Sequence, residues 1–187
     1  PTRMSSFGWA DTVQMDNSSK AGGGWSLDLM NDEVYSRIKA DAIAGKYDGI
    51  MIAFPCSTFS ACRFFDASLH DPTKSRGPPP VRTKSHPEGL DAKSTPPIDP
   101  AYERELRVAN VLLDRTVEIC CAARLSPKKT TIILEQPADR SIKGTVQYSP
   151  FLAEHGSLFQ TEAFKRLRAT VGPSSMCTFA ACRFQSD

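Results

Sequence analysis

What this sequence lacks narrows the field first. No apolar stretch approaches the roughly 20 residues that a bilayer-spanning helix needs, and no charged-then-apolar leader opens the chain, so a soluble protein is expected. A surplus of one charge is missing too. With 23 Lys and Arg against 21 Asp and Glu the formal net charge is +2, which excludes nucleic-acid binding by bulk charge and leaves it to local patches. Regular cysteine spacing is absent: Cys56, Cys62, Cys120, Cys121, Cys177 and Cys182 make no disulfide framework, and the vicinal Cys120-Cys121 pair sits inside a helical pattern. A reducing, intracellular compartment follows. Cys62, Cys177 and Cys182 have no accepted zinc-ligand spacing, so no metal is expected. Histidine is scarce, and only His70, His86 and His155 could serve a thiol hydrolase, which wants an imidazole directed at its cysteine.

What is present fits one domain. The 187 residues suffice for a single core, while 14 Pro against 11 Gly point to a long irregular segment. The chain opens on Pro1 and stops at Asp187 with no capped element, so a processed product or a piece of a longer polypeptide, truncated at both ends, is expected.

The order of elements reads as α/β. Ala10 to Asp16 patterns as a strand and is followed by a loop with Gly22, Gly23 and Gly24, which is not a phosphate-binding pattern. Asn31 or Asp32 caps a helix from about Glu33 to Ala44, which Gly45 ends. The apolar run Asp48 to Phe54 then reads as a central parallel strand covered on both faces, completing a strand–helix–strand crossover. From Asp71 to Pro100 the prolines forbid regular structure, and Lys74, Arg76, Arg82, Lys84 and Lys93 make this a basic loop. It reads either as a solvated linker or as a lid that follows a phosphate backbone. Tyr102 to Leu125 is the clearest helix. Thr130 to Glu135 is a second strand, turned by Gln136-Pro137, and short helices are expected over Phe151 to Gly156 and Thr161 to Val171.

One position stands out. Most free cysteines are small buried hydrophobes, but Cys56 follows Pro55 at the carboxyl end of a strand and precedes Ser57, Thr58, Phe59 and Ser60. A core cysteine needs no such turn, and ligands of open α/β sheets sit beyond the carboxyl ends of the strands. If the two strands are adjacent and parallel, Cys56 and Glu135 share one rim, one or two strand spacings of about 4.8 Å apart. A thiolate beside a carboxyl group can add to an electron-poor ring while the acid donates a proton to the displaced charge.

These residues carry a resemblance. The strand leading into Pro55-Cys56-Ser57-Thr58-Phe59-Ser60, followed later by Ile132-Ile133-Leu134-Glu135-Gln136-Pro137, resembles the cytosine-C5 DNA methyltransferase family, in particular its short, divergent mobile-element members with a Pro-rich loop between the two motifs. The match runs in order from about Phe7 to Pro137. Gln136 stands where the family has Asn, and no Gln-x-Arg-x-Arg stretch is recognisable beyond Arg183. The resemblance implies a Rossmann-like three-layer sandwich with a mainly parallel sheet, incomplete at its first strand because the family's Gly-rich cofactor turn would precede Pro1. It implies S-adenosylmethionine as cofactor, with Asp16 at the ribose, Asp28 near the adenine, and Pro55 in the cofactor-binding set. Cys56 would attack C6 of a flipped-out cytosine, Glu135 would hold the N3 edge, and Ser60, Arg63, Lys74, Arg76, Arg82 and Lys84 would lie along the DNA. Extrusion is required because the attacked ring face is covered by stacking in a duplex. DNA would be the partner and the nucleus the location. A second expectation is a catalytically silent relative that serves as a structural subunit, with other protein chains completing the sheet.

Overall fold

The computed structural model describes residues 24–54, 56–66, 68, 73 and 77–174. The strand expected over Ala10 to Asp16 lies outside these, as do Pro55, His70, Lys74, Arg76, Cys177, Cys182 and Arg183.

Local chemistry sets the elements. Helix α1, Asp32–Ile43, starts where the Asn31 side chain accepts from Glu33 N at 2.9 Å, and Asp32 and Glu33 place negative charge on its amino end. It stops before Gly45, whose φ of +70° suits a residue without a Cβ. Strand β1 is Gly49–Ala53. Helix α2, Pro100–Leu125, is capped by Asp99 and begins on Pro100, the position where a missing N–H costs nothing. Strand β2 is Thr131–Glu135 and helix α3 is Glu162–Val171, capped by Thr161.

The two strands pair in parallel, Gly49 opposite Thr131 through Ala53 opposite Glu135. Alternation then divides their side chains. Ile50, Ile52, Ile132 and Leu134 face α2, whereas Met51 and Ile133, opposite each other in register, are 58% and 47% exposed. The expectation of a strand covered on both faces is therefore corrected. An unbroken apolar run marks a strand but does not say how many layers cover it, and the described layers lie on one side.

Helix α2 organises the core, because its buried residues enter every cluster. Leu113, Val117 and Cys120 pack with Ile52, Phe54, Phe59, Leu158 and Leu167. Ile119 and Ala123 meet Ala42, and Leu106 closes a third cluster with Val81, Leu90 and Ile98. Full burial of such side chains contributes roughly 1.5–3 kcal/mol each.

That third cluster changes the picture of the Pro-rich segment. Over residues 77–99 it has no helix or strand, as its prolines require, yet Val81, Leu90 and Ile98 are 1–7% exposed. Over that span it is neither a solvated linker nor a free lid. Its backbone is tied down by Leu90 N donating to Val81 O at 2.9 Å and by a bridge between Thr83 and His155. The helix expected over Phe151 to Gly156 is reduced to one 3-10 turn, Pro150–Leu152, because Glu154 O accepts from Lys84 N and His155 bridges Thr83. Gly156 makes this crossing possible: a Cβ there would lie 2.8 Å from the backbone of Arg82 and Thr83.

Candidate functional site

The parallel register puts the ends of β1 and β2 at one rim, with Ala53 opposite Glu135. Gln136 then reaches across and its Nε2 donates to Phe54 O at 3.1 Å, joining the chain just after β2 to the chain just after β1. Its Oε1 is buried without a partner. Cys56 is exposed and opens a 3-10 turn, Cys56–Phe59; Glu135 is exposed as well.

Each of the three residues after Cys56 is gripped by a side chain from elsewhere. Ser57 Oγ donates to Glu105 Oε1 at 2.7 Å, and its carbonyl accepts from Arg63 Nε at 2.6 Å. Arg63 Nη2 binds both Glu105 oxygens at 2.6 Å, and Nη1 donates to Pro79 O at 3.1 Å. Thr58 Oγ1 accepts from Arg82 Nε at 3.2 Å, and the Arg82 guanidinium lies 4.0 Å above the Phe59 ring. The carbonyl of Phe59 accepts from His155 Nε2 at 2.9 Å. The turn is thus fixed from the Pro-rich segment at Pro79 and Arg82, from α2 and from the His155 loop, while Cys56 itself stays open. Such restraint keeps a group in one geometry without holding the group directly.

Electrostatics follow from these contacts. Burial pushes the Glu105 carboxyl upward, but hydrogen bonds from Arg63 and Ser57 outweigh it and hold it below the ordinary carboxylate range. Arg82 is 1% exposed and pairs with no carboxylate among the described residues; its acceptors there are Thr58 Oγ1, Pro87 O at 2.8 Å and Asn110 Oδ1 at 2.6 Å, and burial lowers its pKa to about 10. Burial likewise pushes the Cys120 thiol up to about 12. A cleft of about 410 Å³ opens beside the turn, lined by Ser57, Ala101, Arg104, Glu105, Val108 and Leu112.

The expected nucleic-acid residues divide sharply. Arg63 is 6% and Arg82 1% exposed, and both spend their donors on protein acceptors, so neither presents a cation to a phosphate. Composition marks them as basic but is silent on what they face. Ser60 caps a second 3-10 turn, Ala61–Phe64, by accepting from Cys62 N at 3.2 Å. Lys84 is exposed. Lys74 and Arg76 lie outside the described residues. His155 is not a base for Cys56: its Nε2 is committed to Phe59 O and its Nδ1 accepts from Arg140 N at 3.4 Å. Among the described residues no cluster of His, Cys, Asp and Glu suits a metal ion.

The cofactor set is only partly on view. Asp16 and Pro55 lie outside the described residues, and Asp28 spends Oδ1 on Met30 N at 2.8 Å, closing a turn before α1. Of that set only Asp28 is among the described residues. Sequence reasoning misses Glu105 and Asn110, which hold the turn from α2; at the spacing of a solvated helix face they carry no signal. No described helix is long and apolar enough to cross a membrane. Comparison of the chain with protein-family models, with curated proteins and with solved structures gives no match.

Proposed function

We propose that this chain is a cytosine-C5 DNA methyltransferase-like domain whose own residues perform the thiol-addition half of the reaction. The observation that carries the reading is the turn after β1: three successive residues clamped by buried side chains, and an exposed cysteine at its head, on the rim shared with Glu135. A structural cysteine needs no such support. In the proposed step the Cys56 thiolate forms a bond to C6 of an extruded cytosine. The C5–C6 π pair shifts onto the ring, and Glu135 donates a proton at N3. A solvent proton then adds at C5 of the resulting enamine and the original C5 hydrogen leaves as a proton; return of the N3 proton to Glu135 with expulsion of the thiolate restores the aromatic ring and regenerates the thiolate. The parallel β1–β2 pair and the crossover through α2 are compatible with a Rossmann-like sandwich, which belongs to the same proposal.

A second reading is favoured by one feature, the open sheet face at Met51 and Ile133. A two-stranded parallel sheet with one bare face suits a subunit that is completed by another protein chain. Release of tritium from DNA labelled at cytosine C5 separates the two, because addition at C6 labilises the C5 hydrogen without any methyl donor. Release that depends on Cys56 supports the first reading; no release, with calorimetry showing no S-adenosylmethionine binding, supports the second.

A further inference from the structure

Beside the clamped turn lies an exposed aromatic pair that the thiol chemistry does not use. Phe65 and Phe151 sit with ring centroids 5.2 Å apart, tilted by 37°, and are 51% and 60% exposed. Single exposed apolar side chains need no explanation, but two adjacent rings offering their surfaces to water are a different matter. The pair is rigidly mounted. Phe65 N donates to Cys62 O at 3.1 Å, and the neighbouring Phe64 ring packs edge-on against His155 at 5.7 Å. His155 in turn holds Phe59 of the Cys56 turn. Phe151 stands in the 3-10 turn Pro150–Leu152, which Leu152 N closes onto Ser149 O at 2.9 Å.

Cations stand on neighbouring stretches of chain. Lys84, Arg140 and Lys143 are exposed and make no ion pair among the described residues. Backbone bonds bring two of them to the aromatic segment: Lys84 N donates to Glu154 O, and Arg140 O accepts from Ser149 N. Glu154 and Asp66 are the acids on the adjoining stretches. Exposed apolar rings tied by backbone bonds to stretches that carry unpaired Lys84 and Arg140 suit a ligand that is itself planar and apolar on its faces and anionic along its chain.

We infer that Phe65 and Phe151 form a stacking platform for unpaired nucleotides of a nucleic-acid strand, with Lys84 and Arg140 on its phosphates. The inference rests on the reading of the Cys56 rim as a site for an extruded base and adds a second contact, for bases next to that one. Ring-on-ring stacking tolerates any base, so the platform contributes affinity for an opened strand and no sequence preference.

The test uses the full chain and a labelled oligothymidine, which contains no cytosine, followed by fluorescence anisotropy. The Phe65→Ala/Phe151→Ala double variant should weaken single-strand binding about tenfold or more while keeping the thermal midpoint of the parent, since both rings are half exposed. Phe65→Tyr should retain binding, and Lys84→Gln/Arg140→Gln should flatten the salt dependence. Unchanged affinity in the double alanine variant overturns the platform, as does a parent chain that fails to bind the strand, including the case in which it binds only an apolar peptide. Cys56-dependent tritium release with unaltered oligothymidine binding in the alanine variant would refute the platform alone. Platform-dependent binding without tritium release would refute the Cys56 chemistry alone.

Discussion

Glu105→Ala is the perturbation that tests the clamp most severely. Arg63 has a side chain only 5% exposed and directs Nη2 to both Glu105 oxygens at 2.6 Å, so removing the carboxylate strands a buried cation. Breaking one partner of a fully buried pair costs about 3–5 kcal/mol. Glu105 is itself 35% exposed, so water can enter the vacated space, and Arg63 keeps Ser57 O and Pro79 O as acceptors. The expected loss is therefore about 2–3 kcal/mol, a fall in melting midpoint of roughly 5–10 °C for a domain of this size. Glu105→Gln keeps one carbonyl oxygen that can accept from both Ser57 and Arg63 and should lose about half as much. The pH dependence has a definite sign. The Glu105 carboxyl is held below its ordinary 4.5, so its stabilisation is present above that pH and disappears as pH falls through the lower folded value. Denaturant unfolding of the parent and both variants at neutral and acid pH measures all of this. A loss below about 0.5 kcal/mol for the alanine variant, the range of an ordinary surface change, would refute the clamp.

Other outcomes follow from the same contacts. Alkylation read by mass spectrometry should modify Cys56 and Cys62 in the folded chain and spare Cys120 until it unfolds, because Cys120 is fully buried with its thiol pushed up to about 12. Gly156→Ala should destabilise by about 2–3 kcal/mol in denaturant titration, since its Cβ meets backbone at 2.8 Å, where no side chain can yield. Asp139 accepts from Ser141 N, Ser141 Oγ, Ser157 Oγ and Gln160 Nε2 at 2.7–3.0 Å; burial raises its carboxyl, but these bonds win and hold it below 3.8. Asp139→Asn should therefore cost about 2 kcal/mol at neutral pH, and the difference from the parent should shrink as pH falls through that depressed value. Met51→Thr/Ile133→Thr should change stability by less than about 0.5 kcal/mol if the bare face is open in solution; a large loss would show that something covers it.

Much of the frame is legible before any coordinates. The cap at Asn31, the stop at Gly45 and the parallel pairing of the two strands all come from local rules of helix ends and crossover length, and β1 and β2 meet in the expected sense; the Asp99 cap of α2 is seen only in the structure. The Pro-rich segment shows where such reading ends. Proline excludes ladders, and it says nothing about burial, so a stretch with Val81, Leu90 and Ile98 in a core looks like solvent-facing loop. Arg63 and Arg82 fail for a related reason. A guanidinium in a sequence reads as surface charge, yet its planar donors also satisfy the carbonyls of an irregular chain, and both arginines serve in that way. Glu105 was invisible because its partner lies 42 positions away, beyond any periodicity.

The most direct measurement of the central claim is release of tritium from DNA labelled at cytosine C5, with no methyl donor added. Addition of the Cys56 thiolate at C6 lets a solvent proton enter at C5 and the label leave, so the readout depends only on residues this chain supplies. The account predicts release by the parent chain that disappears in Cys56→Ser. No release by the parent chain, or release that persists in Cys56→Ser, would contradict it.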